Sequence, residues 1–358
     1  MKSNKTTILD TLSKMLGQKS LAQIHSIVRN VKSELENHAN NKNVGRIILS
    51  HGKTVNARSK YLIGELDQIL DARTLDRTKY YIQRLVRALS ETKTGTMNDL
   101  NLHRWKEYDD ILTDSLWILE KRDTSGAHNG RYWGNFVPQI PNQLLRRYTK
   151  KGEWVLDTFL GSGTTLIESK RLGRNGVGVE LQRKVANSAA KAIEQEDDRH
   201  SVRTEIIVGD SSNLDFKSEL HQRKIKSVQL LIMHPPYWDI VKFSKDKRDL
   251  SNTKSINDFL NLFGKVVDAA YPVLDKGRYF AVVIGDKYTG GNWIPLGFST
   301  MQEVLKRNYS LKSIIIKNFD ETKGKRNQKE LWRYRALAGG FYIFKHEYIF
   351  LFKKNNYL

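Results

Sequence analysis

Apolar residues recur every three or four positions through most of the first 120 residues, which is the spacing of one face of an α-helix. Ile8, Leu12 and Met15 follow this spacing near the start of the chain. Two later groups follow it as well, namely Leu62, Leu66, Ile69 and Leu70, and Tyr81, Leu85 and Leu89. No proline occurs before Pro138, so only polar stretches interrupt these helices. Residues 1–125 are therefore predicted to form a small α-helical domain.

The pattern changes near residue 150, where short apolar runs alternate with helical stretches. The runs are WVLDTF, GVGVEL, TEIIVGD, VQLLIM, RYFAVVIGD, LKSIIIKNF and HEYIFLFKK. Strands that alternate with helices form parallel sheets, and ligands bind at the carboxyl ends of their strands. Residues 126–358 are therefore predicted to form an α/β domain with a Rossmann-like, doubly wound sheet. The last two runs are compatible with an antiparallel strand pair at its edge.

The charge balance points to a polyanionic partner. Sixty lysine and arginine residues stand against 39 aspartate and glutamate residues, which gives a formal net charge of +21 and a pI near 9.8. A surplus of this size on a folded chain is typical of nucleic-acid binding, although a merely soluble basic protein remains an alternative.

Composition excludes several chemistries. The chain has no cysteine, which excludes disulfides, thiolate metal sites and cysteine nucleophiles. No apolar run is long enough to predict a membrane span, and the first residues lack the apolar core of a secretion signal, so the expected location is the cytoplasm. No cluster of His, Asp and Glu at ligand spacing predicts a metal; His346 and Glu347 are interpreted as strand positions.

A glycine-rich segment, DTFLGSGTT at residues 157–165, directly follows the first predicted strand. Glycine lets the chain turn sharply and approach a ligand, and the helix that follows offers free N–H groups. The segment lacks the Gly-Lys-Ser/Thr of a P-loop, and Leu166 stands where a dinucleotide fingerprint has its third glycine.

Acids end three successive predicted strands, at Asp157, Glu180 and Asp210. Glu180 is expected to accept hydrogen bonds from the two hydroxyls of a ribose, and Asp210 to accept one from an adenine amino group. Three such acids predict a nucleoside pocket, and they suit a cationic sulfonium or amine ligand better than a pyrophosphate. Each acid alone could equally be a capping carboxylate at a strand end.

A second motif, HPPYW at residues 234–238, follows the apolar run VQLLIM. Its two prolines end the strand and remove two backbone donors, so the preceding carbonyl oxygens remain free to accept. Enzymes that modify a base hold it flipped out of the duplex, by hydrogen bonds to its edge and by stacking on aromatic rings. The motif therefore predicts chemistry on the exocyclic amino group of a base.

Together, DTFLGSGTT and HPPYW resemble the motifs of the S-adenosylmethionine-dependent DNA amino-methyltransferases, which methylate N6 of adenine or N4 of cytosine. The resemblance covers residues 131–358. It implies that the catalytic residues are His234, Pro235, Pro236 and Tyr237. The segment GNFVPQIPNQLLRRY stands where the family closes over its cofactor. The cofactor site then includes Asn135, Pro138, Asp157, Phe159, Gly161, Gly163, Thr164, Glu180 and Asp210.

Two features depart from the family pattern. His234 stands where most members have Asp, Asn or Ser; a neutral imidazole still accepts one hydrogen bond, but it blurs the distinction between adenine and cytosine. The cofactor motif precedes the catalytic motif and no recognition domain follows the last strands, so residues 1–125 are the expected target-recognition domain.

Two basic stretches, KDKRD and KGKRNQKELWRYR, are expected to contact phosphates and bases, although each could be a solvated loop. The candidate DNA contacts are Trp238, Lys245, Lys247, Arg248, Lys323, Lys325, Arg326, Lys329 and Arg333.

The resemblance implies a site-specific methyltransferase of double-stranded DNA that converts S-adenosylmethionine to S-adenosylhomocysteine without a metal. N6 of adenine is favoured because it is the commoner product in the family. The expected setting is restriction-modification or phage defence, in a prokaryotic or phage-encoded protein near the nucleoid. A cognate endonuclease or specificity subunit is left open as a partner. Two alternatives remain: an RNA base methyltransferase acting on tRNA, and a non-catalytic DNA-binding subunit in which His234 marks lost activity.

Overall fold

A computed structural model describes residues 8–39, 44–48, 54–128, 130, 132–319 and 328–356. The chain divides into two compact units between Ile111 and Leu112. The boundary expected from the sequence lies later, at residue 125. The segment from Leu112 onward joins the second unit because its short strand Leu116–Trp117 pairs with a strand of that unit's sheet.

The first unit is helical, with one hairpin that the sequence analysis did not anticipate. Its helices are α1 (Ile8–Leu16), α2 (Leu21–Ala39), α3 (Ser59–Leu70) and α4 (Leu75–Ser90). Strands β1 (Val44–Ile48) and β2 (Thr54–Arg58) pair antiparallel between α2 and α3. Most of the residues predicted from helical spacing form its core, including Leu12, Met15, Leu62, Leu66, Ile69, Leu85 and Leu89.

The second unit is built on a mixed sheet with helices on both faces. Its strands are β3 (Leu116–Trp117), β4 (Trp154–Asp157), β5 (Asn175–Glu180), β6 (Thr204–Val208), β7 (Val228–Met233), β8 (Leu274–Ile284), β9 (Lys287–Thr289), β10 (Asn292–Ile294), β11 (Tyr309–Asn318) and β12 (His346–Lys354). Its helices are α5 (Gln139–Tyr148), α6 (Thr164–Leu172), α7 (Arg183–Gln195), α8 (Phe216–Gln222), α9 (Ile256–Ala270), α10 (Leu296–Leu305) and α11 (Lys329–Gly339).

In the described residues, the main sheet has eight strands in the order β3-β11-β12-β8-β7-β4-β5-β6. Strands β4 to β8 run parallel, and β12 lies antiparallel between β8 and β11. The predicted α/β class and the antiparallel terminal pair are therefore confirmed. The pair is not at the edge, however, because β8 flanks β12 and β3 flanks β11.

Both faces of the central strands are buried, which explains why their runs are apolar at every position. Val155 of β4 and Leu230 of β7 pack in one cluster with α5. Their neighbours Leu156 and Leu231 pack in a second cluster that includes α9.

The strand order reverses between β4 and β7. From β4 the chain moves outward to β5 and β6, and it then returns to β7 on the opposite side of β4. The two strands end side by side, with Asp157 paired to Ile232. Loops that leave such a reversal in opposite directions open a crevice where ligands bind. Because the glycine-rich segment leaves β4 and HPPYW leaves β7, the fold brings both motifs to this crevice.

Candidate active site

A cavity of about 980 Å³ opens at the reversal. Phe159, Gly161, Glu180 and Asp210 line one end, and residues 234–237 line the other. This volume lies at the top of the range of about 300–1,000 Å³ that is usual for small-molecule sites. A nucleoside cofactor and a flipped base can therefore share the cavity. We call its two ends the cofactor end and the base end.

Asp157 supports the glycine-rich turn from below rather than lining the cavity. Its side chain is fully buried; Oδ1 accepts from the backbone N–H of Phe159 (2.9 Å) and Oδ2 from the Thr165 hydroxyl (2.5 Å). Burial raises the pKa of Asp157 to about 6, and these two hydrogen bonds oppose the rise. Asp157 therefore fixes the shape of the turn.

The two glycines have left-handed backbones that favour residues without a Cβ atom. Gly161 has φ +54° and Gly163 has φ +87°. A Cβ atom on Gly161 would lie 3.1 Å from the Tyr132 ring, and one on Gly163 would lie 3.1 Å from Ile193. Of the two, only Gly161 lines the cavity; Gly163 caps α6 and packs against α7.

Glu180 ends β5 and faces the turn. Its Oε2 accepts from the backbone N–H of Gly161 (3.0 Å), and its Oε1 accepts from that of Gln182 (2.9 Å). Burial raises the pKa of Glu180, against the effect of these two bonds. A carboxylate oxygen has a second lone pair, so both oxygens can still accept from vicinal hydroxyls.

Asp210 also lines the cofactor end. Both of its side-chain hydrogen bonds with described residues use Oδ1, which accepts from the backbone N–H (2.9 Å) and hydroxyl (2.8 Å) of Ser212. The acids at this end, together with the aromatic rings of Phe159 and Tyr132, suit an adenosine with a cationic tail. The residues present therefore fit S-adenosylmethionine.

The segment before α5 connects the two ends of the cavity. The side-chain oxygen Oδ1 of Asn135 accepts from the Thr164 hydroxyl (2.5 Å), which joins the segment to the start of α6. Phe136 contacts the His234 ring edge-on, with centroids 4.7 Å apart. Asn135 lines the cavity, whereas Thr164 and Pro138 are buried outside its lining.

At the base end, His234 and Tyr237 meet two charged residues of the antiparallel strands. His234 Nε2 lies 3.3 Å from the Tyr237 hydroxyl, which donates to Glu347 Oε2 (2.6 Å). Lys317 on β11 bonds to Glu347 Oε1 on β12 (3.0 Å), where the two residues are paired across the sheet. Burial lowers the pKa of His234 to about 4, so the imidazole is neutral at neutral pH.

Gly285 at the end of β8 allows the Tyr237 ring to approach. A Cβ atom at this position would lie 2.8 Å from the ring, so any side chain would displace it. The cavity lining also includes the aromatic residues Trp332, Phe341 and Tyr342.

The predicted DNA contacts are scattered relative to the cavity. Trp238 is half-buried and packs against the core: its backbone has φ +49°, its Nε1–H donates to the Thr253 carbonyl (3.3 Å), and Lys287 lies 4.2 Å from its ring centroid. Trp238 does not line the cavity, and its contacts with Thr253 and Lys287 hold the loop in place. Arg248 lines the cofactor end and forms a bidentate pair with Asp246, which differs from the phosphate contact expected for it.

The remaining basic candidates lie on the surface or outside the description. Lys245, Lys247 and Arg333 are exposed. Lys329 begins α11, and its side chain is not described. Lys323, Lys325 and Arg326 lie outside the described residues.

Sequence reasoning missed the roles of Glu347 and Lys317 at this site, and it missed Tyr132 and Phe243. A signal existed for the first two, since each is a charge near the end of an otherwise apolar strand. Tyr132 and Phe243 stack with centroids 6.3 Å apart, but nothing in their local sequence marks them.

Two negative findings apply to the described residues alone. No three of their His, Asp or Glu side chains are grouped as they would be around a metal ion. No helix in these ranges combines the length and apolarity needed to cross a membrane.

A family model for N6- and N4-directed enzymes, described as DNA methylase, matches residues 13–191 and 228–358. The chain belongs to this DNA methylase family. The match includes every predicted cofactor and catalytic residue except Asp210, and it extends into the first unit.

Curated relatives match over shorter stretches. The Type II methyltransferase M.MjaII of Methanocaldococcus jannaschii is 31% identical over 111 residues, which are 29% of this chain and 21% of that protein. The Type II methyltransferase M2.DpnII of Streptococcus pneumoniae is 32% identical over 108 residues, which are 28% of this chain and 40% of that protein. The matches therefore span well under half of these relatives.

Among solved structures, a SAM-dependent methyltransferase of Methanosarcina mazei is similar with a TM-score of 0.40 and 12% identity. The similarity covers 62% of this chain and 99% of that one.

Proposed function

We propose that this DNA methylase family member transfers a methyl group from S-adenosylmethionine to the exocyclic amino group of a base in double-stranded DNA, with N6 of adenine favoured over N4 of cytosine. The observation that carries the proposal is one cavity with Glu180 and Asp210 at one end and the His234–Tyr237 loop at the other. Methyl transfer needs a nucleoside cofactor and an amine in line with its methyl group, and orientation supplies much of the rate.

At the cofactor end, Glu180 would accept from the ribose hydroxyls and Asp210 from the adenine amino group, while Asn135 borders the route to the base end. When bound, S-adenosylmethionine supplies a methyl group: its carbon–sulfur bond breaks as the carbon–nitrogen bond forms, the sulfonium becomes a neutral thioether, and the amine loses one proton. Asp157 and Gly163 would act indirectly, through the shape of the turn.

At the base end, the amine needs acceptors, because its lone pair is delocalised into the ring. The neutral His234 imidazole and the carbonyl before Pro235 would accept its two hydrogens, which favours a pyramidal, more nucleophilic nitrogen. His234 would also take the released proton and pass it to water. A base within a duplex cannot reach this cavity, so it would be flipped and packed against Tyr237.

Selection of the target site would fall to the first unit, with the basic stretch at residues 323–335 contacting phosphates. Phosphate contacts give affinity without sequence information, and base-edge contacts give sequence. Deleting residues 1–111 should leave cofactor binding intact but abolish the preference for particular sites. Equal relative rates at the same sites would assign the selection to the second unit.

The Type II methyltransferase names of the relatives support a restriction-modification setting in the cytoplasm of a prokaryote. A cognate endonuclease or specificity subunit is the partner that such a setting implies. Co-purification of the chain with the products of neighbouring genes would test this part of the proposal.

The activity is tested with tritium-labelled S-adenosylmethionine and three nucleic acids in parallel: duplex DNA, single-stranded DNA and tRNA. We expect label in duplex DNA. Label in tRNA alone would favour an RNA methyltransferase, and label in none of them, with cofactor still bound, would favour a non-catalytic subunit.

A further inference from the structure

Four side chains form a continuous hydrogen-bonded chain behind the base end. Lys317 bonds to Glu347, Glu347 accepts from the Tyr237 hydroxyl, and that hydroxyl lies 3.3 Å from His234 Nε2. The residues come from β11, β12 and the loop after β7, so the sheet rather than a local motif brings them together. Glu347 and Lys317 are almost fully buried.

The direction of each hydrogen bond follows from the chemistry of the groups. Lys317 has only donors, and an ionised Glu347 has only acceptors. The single hydroxyl proton of Tyr237 is therefore committed to Glu347, and its oxygen can only accept from His234. The proton of the neutral imidazole must then be on Nε2, which leaves Nδ1 as the ring nitrogen with a free lone pair.

We propose that Glu347 and Lys317 are positioning residues that act through Tyr237 to hold His234 as the Nε2–H tautomer, with Nδ1 ready to accept from the amino group of the base. The acceptor role of Nδ1 rests on the proposed function. The tautomer of His234 can be tested whether or not the protein is active. Phe136, which packs edge-on against His234, restrains the ring from turning over. No described residue bonds to Nδ1.

The charge states of the four residues are consistent with this direction. Burial lowers the pKa of His234 and keeps it neutral, with Glu347 raising that pKa and Lys317 lowering it. Burial also holds the pKa of Tyr237 well above its usual value, so its proton stays on. For Glu347, burial raises the pKa, but Lys317 and the other partners outweigh it and keep the carboxylate ionised.

The tautomer can be read directly from ring nitrogen resonances. The full-length protein is labelled with 15N-histidine, and long-range 1H–15N correlation spectra are recorded at neutral pH. The chain has nine histidines, and the spectrum of His234→Gln identifies the resonance by its loss. We expect wild-type His234 to carry its proton on Nε2.

Glu347→Gln should reverse the relay. Lys317 can only donate, so the glutamine amide oxygen should face Lys317 and its NH₂ group should face Tyr237. The Tyr237 hydroxyl would then donate to Nε2, and the His234 proton would move to Nδ1. We expect kcat to fall at least about tenfold with the cofactor Kd unchanged, because a catalytic histidine in the wrong tautomer loses its function.

Tyr237→Phe breaks the chain without changing buried charge, and it covers the case in which Glu347→Gln does not fold. We expect a mixture of the two tautomers. Two matched controls should keep the wild-type His234 resonance. Tyr348→Phe removes a hydroxyl bonded to Asp286 and His346. Glu303→Gln neutralises another buried carboxylate, which lies on α10 and pairs with Lys306 and Arg307 just beyond that helix.

Wild-type His234 protonated on Nδ1 would overturn the proposal, as would an unchanged tautomer in Tyr237→Phe. Methyl transfer to duplex DNA is measured separately, so either result would overturn the tautomer proposal and leave the proposed function to be judged by that assay. Conversely, an inactive wild-type protein with His234 as the Nε2–H tautomer would remove the proposed function and leave the hydrogen-bonded chain in place.

Discussion

The two ends of the cavity hold their functional groups in different ways. At the cofactor end, the carboxylates of Asp157, Glu180 and Asp210 accept from backbone N–H groups, each within two residues or from the neighbouring turn. At the base end, His234 and Tyr237 are held by side chains of β11 and β12, and Glu347 lies 110 residues from Tyr237 in the chain.

One end of the cavity is therefore fixed by local turns and the other by the assembled sheet. Changes at the cofactor end should therefore alter cofactor affinity or the stability of the turn. Changes at the base end should alter turnover and leave cofactor binding almost unchanged.

The largest expected effect comes from removing the contacts with the base. Combining Tyr237→Ala with Pro235→Ala should lower turnover at least about a hundredfold, because the amine loses its orientation. Cofactor affinity, measured by calorimetry, should stay within about twofold of wild type. A large loss of cofactor affinity would contradict the separation of the two ends.

The second effect concerns stability at the cofactor end. The pKa of Asp157 is raised to about 6 by burial, against about 3.9 in an unfolded chain. Between these values the folded state keeps a proton that the unfolded state loses, so the contribution of this group to stability falls as pH rises. Asp157→Asn keeps an acceptor for Phe159 and cannot ionise.

We therefore expect the stability of Asp157→Asn relative to wild type to rise by about 2 kcal/mol between pH 4 and pH 7. Urea unfolding of both proteins at each pH, followed by tryptophan fluorescence, measures this difference and cancels the contribution of other groups. A difference that does not change with pH would show that burial does not disfavour the Asp157 carboxylate.

The third effect tests the predicted ribose contact. Glu180→Ala should weaken cofactor binding at least tenfold, about 1.4 kcal/mol, because two hydrogen bonds to a charged acceptor are lost. At saturating cofactor, turnover should remain close to wild type. Glu205→Ala on the neighbouring β6, outside the cavity lining, is the matched control. Unchanged affinity in Glu180→Ala would remove the contact from the site.

The smallest expected effect concerns the pH dependence of kcat, in which His234 should not titrate near neutral pH. Because burial lowers the pKa of His234 to about 4, with Glu347 and Lys317 as the charged groups beside it, the imidazole stays neutral from pH 6 to pH 8. kcat should show no limb from His234 in this range and should fall only toward pH 4, where protonation removes the acceptor. A limb near pH 6.5 that disappears in His234→Asn would show that the ring is solvated.

The difference between the two ends also explains how much of the site the sequence could predict. Glu180 and Gly161 could be anticipated because each lies at, or just after, the end of a strand that the sequence predicts. Both line the cavity. The partners of His234 could not, because strand order decides that β12 lies beside β8. Trp238 looked like a base-contacting ring from its place in HPPYW, but its bond to Thr253 and its contact with Lys287 hold it within the fold.

In the fold, apolar runs located the strands, and the helical spacing located the core of the first unit. The hairpin of β1 and β2 was missed because its strands VGRII and TVNAR interrupt a helical region and are only five residues each. The position of β12 was missed for a related reason: an apolar run shows that a strand is buried, and it does not show which neighbours bury it.

The central claim is that the protein methylates the amino group of a DNA base within a single cavity that also holds the cofactor. The most direct measurement is mass spectrometry of nucleosides from duplex DNA treated with wild-type protein and S-adenosylmethionine, beside DNA treated with the Tyr237→Ala protein. We predict N6-methyladenine from wild type and none from the variant. N4-methylcytosine would overturn the preference for adenine, and methyl groups on carbon atoms, or equal methylation by the variant, would contradict the claim itself.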